Sequence, residues 1–203
     1  VSGLMKLLKN GVEESPPPPI DYSNLSITHI VPPKKFQQKQ VFASTLSKAK
    51  TYTEWCKKLI LAETQPGEKV FVVTHKDILC RYELWKPVEH WEGREVFTSH
   101  YGCGIGSNQW RHCTSVALLG AFHKPRRVSV GSFLGYQEIP AAKGGLGSLS
   151  VKWAGTAKDV ADGDILRWLV QLANRGSARN IDRDGLCGKM KLLTTIDSTL
   201  LTA

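Results

Sequence analysis

From residue 38 onward, apolar side chains recur at the three- and four-residue spacing of an amphipathic helix: Phe42, Leu46, Ala49, Tyr52, Cys56, Leu59 and Ile60. The pattern predicts one helix over 38–65, ended by Pro66-Gly67. Val70-Phe71-Val72-Val73 then runs apolar without alternation, which predicts a strand buried on both faces. A short helix is expected over 78–85, a strand at 95–98 and a second buried strand at 115–119. Residues 124–150 are rich in Gly, Pro and basic side chains and read as long loops. In 162–173, Ile165, Leu166, Leu169, Val170 and Ala173 share one helical face, and a last strand at 189–194 is expected to close the sheet. Strands alternating with helices predict an α/β domain with a mostly parallel central sheet flanked by helices.

The first 35 residues fit no such pattern. A run of four prolines, Pro16 to Pro19, predicts an extended linker, and a short strand at 25–31 leads into the domain. The organisation expected is therefore a Pro-rich lead-in over 1–35 and one domain over 36–203. The chain opens on Val1 in mid-pattern, as a segment of something longer would.

Charge changes the picture. Lys and Arg number 27 against 18 acids, a formal net charge of +9. Such a surplus favours polyanions, nucleic acid first. The five cysteines are scattered, with no Cys-x-x-Cys pair and no signal peptide, which argues for reduced thiols and a cytoplasmic protein. His100, Cys103, His112 and Cys113 lack the paired short spacings of a structural zinc site, so no metal is expected. No apolar run has the length of a membrane span, and no membrane partner is expected.

In parallel α/β sheets ligands bind beyond the carboxyl ends of the strands, so chemistry is sought there. Thr74-His75-Lys76 follows the strand at 70–73, and its hydroxyl, imidazole and ammonium suit a phosphate backbone as well as they suit a polar turn. Gly102-Cys103-Gly104-Ile105-Gly106-Ser107-Asn108 is glycine-rich enough to nest an anion, though it is neither a dinucleotide fingerprint nor a Walker A loop. Gln171-Leu-Ala-Asn-Arg175-Gly-Ser-Ala-Arg179 runs an apolar helix face into two arginines. Arginine suits the charge of a phosphoryl transition state, and equally suits a solvated helix end. Asp182 and Asp184 are the expected ion-pair partners of these arginines. The tryptophans read as core or rim residues before base-stacking ones.

In this order, the three segments resemble motifs IV, V and VI in the C-terminal RecA-like domain of superfamily 2 helicases. The resemblance is closest to the helicase-like ATPases of phages, plasmids and mobile elements, and covers roughly residues 38–195. Gly102, Gly106, Asn108, Trp110, Arg111, His112 and Cys113 carry the second segment. It implies the C-terminal half of an ATP-dependent helicase or translocase. ATP and Mg²⁺ would be held mainly by an N-terminal RecA-like domain, and DNA or RNA would be the polymer. Arg175 and Arg179 would be catalytic. Gln171, Gly104, Gly106 and Asn108 would contact ATP, and Thr74, His75 and Lys76 nucleic acid. The family spacing Gln-x-x-Gly-Arg-x-x-Arg is altered here: Asn174 replaces the glycine and one extra residue precedes Arg179. The finger is thus Arg175 or Arg179, with Arg183 a further candidate. The rival reading is a basic nucleic-acid-binding module without catalysis.

Overall fold

Six strands form one sheet in the order β1-β6-β5-β2-β4-β3. They are β1 Leu25–His29, β2 Lys69–Thr74, β3 Val88–Trp91, β4 Arg94–His100, β5 Ser115–Leu118 and β6 Met190–Thr194. The structure, a computed structural model, describes residues 20–103, 107–122, 124–136 and 154–196. All neighbours pair in parallel except β3 and β4, so the fold is α/β with a mostly parallel sheet and flanking helices. Two compact units divide the described residues. One spans 20–121 and 169–196 and holds the sheet; the other lies within 122–168.

The unalternating apolar runs occupy the middle of the sheet. Residues 70–74 and all of β5 are buried, whereas edge strand β1 leaves Ile27 57% exposed. A central strand has both faces covered, so it carries no polar alternation. Helix α1 (Lys39–Phe42) and helix α2 (Leu46–Glu63) pack on one face, with Tyr52, Cys56 and Ile60 in one core with Val70, Val72, Val96, Ala117 and Leu193. On the other face Phe71 stacks under Trp110, ring centroids 4.1 Å apart.

Several expectations need correction. The helix expected over 38–65 is broken at Ala43 and Ser44, and Thr45 N-caps α2 by accepting from the Lys48 amide. The helix expected over 78–85 is a single π turn at Asp77–Arg81. β3 was not expected. It pairs with β4 across Glu92-Gly93, both at positive φ (45° and 80°), the geometry of a tight hairpin turn. The strand at 189–194 does not close the sheet but lies inside it, between β1 and β5. The strand expected at 25–31 is present as β1, at the edge of the sheet beside β6.

The long loop expected from residue 124 is, over Arg126–Tyr136, a helix, α3. Pro125 starts it, accepting from Val128 N–H at 2.8 Å, and Val130 and Leu134 form a small core one turn apart. Residues 137–150 lie outside the described residues. The helix expected over 162–173 begins earlier, as α4 (Ala154–Ala173). Its buried side chains are Ile165, Trp168, Leu169, Leu172 and Ala173, while Val170 is exposed. Among the described residues no helix is long and apolar enough to cross a membrane.

Candidate functional site

The candidate residues fall at two opposite edges of the sheet. Thr74, His75 and Lys76 stand at the carboxyl edge, as expected. The Gln171–Arg179 segment does not: Ser177 donates its N–H to Cys113 O at 2.8 Å and its hydroxyl to Lys189 O at 2.6 Å. Cys113 lies two residues before β5 and Lys189 one residue before β6, so this segment sits at the amino edge. About 17 Å of strand separates that level from Thr74. The rule that ligands gather at carboxyl ends therefore does not locate the arginines, which lie just ahead of the start of β6.

At the carboxyl edge Thr74 is fully buried and His75 half-buried, and only Lys76 is exposed. The His75 ring lies 5.5 Å from that of Phe42 and 5.9 Å from that of Tyr101. It fills the space over Gly120, where an added Cβ would come within 2.3 Å of Nε2. Gly120 also has φ +91°, so glycine is required there twice over. The buried Thr74 side chain does not reach a polymer in this fold, and Lys76 is the most exposed of the three.

At the amino edge the chain turns out of α4 at Asn174, whose Nδ2 bonds Val170 O at 3.0 Å, and Arg175 N–H bonds Leu172 O. Gly176 is extended, and a 3-10 turn, Ser177–Arg179, follows. Both arginines thus lie beyond the end of α4, Arg175 in the turn that follows it and Arg179 in the 3-10 turn. Gly176 is packed tightly. An added Cβ would lie 2.5 Å from Met190 Sδ and 2.6 Å from Val116 Cγ2.

The break brings two of the predicted segments together. Arg175 donates from Nη1 to Ser107 O at 3.0 Å, and Arg179 donates from Nη1 to Asn108 Oδ1. Asn180 donates from Nδ2 to Arg111 O at 3.0 Å, a third link between the same stretches. Ser107 belongs to the glycine-rich segment read as an anion nest, whereas nothing in the sequence points to Asn180. Gln171 lies half-buried one turn before Arg175. Gly104 and Gly106 lie outside the described residues.

The expected pairing of the arginines with Asp182 and Asp184 does not occur. Asp182 Oδ1 instead accepts from the N–H groups of Asp184 and Leu186, closing its own turn. Among the described residues neither Arg175 nor Arg179 has a carboxylate partner. Arg175 Nε is buried without a hydrogen bond. Loss of solvation, then the charge of neighbouring Arg179, holds the Arg175 guanidinium below its ordinary pKa. Two adjacent cations so placed attract an anion, since binding one relieves their repulsion and supplies acceptors for the remaining N–H groups.

The zinc-like set does not assemble. Cys103 Sγ lies 3.3 Å from His100 Nε2, but the His112 ring sits edge-on to Phe97 and Cys113 is buried. Burial pushes the Cys113 thiol up to about 12. No family model matches the chain, and no curated protein or solved structure matches it either.

Proposed function

We propose that this chain is the C-terminal RecA-like half of a cytoplasmic, nucleic-acid-dependent ATPase of the superfamily 2 helicase or translocase type. One observation carries the reading. Arg175 and Arg179, free of carboxylates among the described residues, are anchored to Ser107 and Asn108, so the segments resembling motifs V and VI meet at one place. A guanidinium pair with unused donors fits the triphosphate of ATP. Mg²⁺ would be held by carboxylates of the N-terminal RecA-like domain, since this cluster presents none among its described residues.

In this reading Arg175 and Arg179 face the γ-phosphate across the interdomain cleft and stabilise charge as it builds on the transferring group. Asn108, bonded to Arg179, links that position to the loop after β4. Lys76 and the general positive charge meet the DNA or RNA backbone from the opposite edge. ATP hydrolysis by the full-length protein with Arg175→Ala or Arg179→Ala tests this. Removing the finger lowers turnover by about 10³, with nucleic-acid binding and the fold retained. Unchanged turnover in both variants rejects the assignment. A full-length protein that binds nucleic acid but never hydrolyses ATP is instead a non-catalytic binding module.

A further inference from the structure

We propose that Cys103 is a reactive, modifiable thiol with His100 as its base. The inference is independent of the ATPase reading.

β4 ends at His100, and the chain reverses at once: Cys103 N–H bonds His100 O at 3.1 Å. Gly102, third in this turn, has φ +96°, which glycine adopts without strain. The reversal lays Cys103 Sγ 3.3 Å from His100 Nε2. On its other side the imidazole places Nδ1 2.9 Å from Tyr101 O. A carbonyl only accepts, so Nδ1 carries the proton and Nε2 presents its lone pair to the thiol. Nucleophile, base and orienting acceptor thus stand in line.

The orienting residue is firmly held. Tyr101 N–H bonds Thr74 O at 3.1 Å, and its hydroxyl bonds Gly120 O at 2.7 Å. Cys103 is exposed, whereas Cys56, Cys113 and Cys187 are buried. Cys80 is exposed too, with no imidazole partner among the described residues, and serves as an internal reference.

The electrophile is a hydroperoxide. Sulfur attacks one peroxide oxygen, the S–O bond forms and the O–O bond breaks. The thiol proton passes by way of His100 Nε2 to the departing oxygen, which leaves as water or an alcohol. Sulfur loses two electrons to become a sulfenic acid, and the peroxide is reduced. A small thiol such as glutathione then displaces that hydroxyl as water, giving a mixed disulfide.

The test is residue-resolved mass spectrometry of the native chain at about pH 7. It follows iodoacetamide labelling, and dimedone capture after dilute hydrogen peroxide. Cys103 is expected to label about tenfold faster than Cys80 and to carry the dimedone adduct. In His100→Gln the ratio is expected to fall to about one. Equal rates at the two cysteines in the unaltered chain overturn the proposal, whether or not the variant folds. A ratio that survives His100→Gln in a folded variant overturns it as well.

Discussion

Arg94 donates from Nε to Thr64 Oγ1 at 2.8 Å and from Nη2 to the carbonyl of the same residue at 2.5 Å. Further bonds reach Leu61 O at 3.0 Å and Glu92 O at 2.9 Å. The side chain is buried, has no acidic partner among the described residues, and ends α2 by satisfying carbonyls that a helix terminus leaves unpaired. Arg94→Met leaves these acceptors buried and unbonded, and is expected to lower unfolding free energy by about 3 kcal/mol. Urea denaturation measures it. A loss below about 0.5 kcal/mol shows that water replaces the guanidinium.

Gly176→Ala tests the packing that sets the arginines. The obstacle is space rather than backbone angle, since φ there is −79°. Met190 can bend away, but Val116 is a β-branched residue on a central strand and cannot. The expected cost is about 2 kcal/mol, together with reduced ATP turnover in the full-length protein as Arg175 and Arg179 lose register. Normal stability with normal turnover contradicts the tight contact.

Alkaline pH is expected to destabilise the fold. Burial raises the pKa of the Cys113 thiol to about 12 from an ordinary 9.0, against a smaller pull downward from Lys69. Burial also raises Tyr52, Cys56 and Tyr101. The unfolded chain thus releases these protons first. The stability they contribute is complete below about pH 9 and is lost as pH rises through the folded values. Urea midpoints at about pH 8 and about pH 10.5 should differ, with the slope reduced in Cys113→Ala. Equal midpoints would falsify this account.

Lys76 and Thr74 separate surface from core at the carboxyl edge. If nucleic acid lies there, Lys76→Gln lowers the slope of log affinity against log salt by about one. Thr74→Ser leaves that slope unchanged, because the side chain is buried. A slope insensitive to Lys76 moves the polymer to another surface.

Legibility in the sequence followed the kind of signal each element carried. β2 and β5 were readable because a strand buried on both faces leaves an unbroken apolar run. β3 was missed because the hairpin turn at Glu92-Gly93 was not recognised beside Pro87 and the charged residues around it. α3 was missed because Gly131, Gly135 and the arginines outweighed the Val130–Leu134 spacing. The sequence does not disclose that two of the three candidate segments meet while the third lies at the opposite edge, nor the role of Asp182.

Local composition determined the α/β class, the central strands, the charge and the candidate residues, since these depend on short-range periodicity and on side-chain chemistry. Tertiary structure alone decided which strand neighbours which, that β6 lies inside the sheet, and that Arg175 and Arg179 meet Ser107 and Asn108 at the amino edge. These are contacts across 68 and 71 residues of chain. They arise where a helix end, a loop and two strand starts converge, and no periodicity along the sequence encodes that convergence.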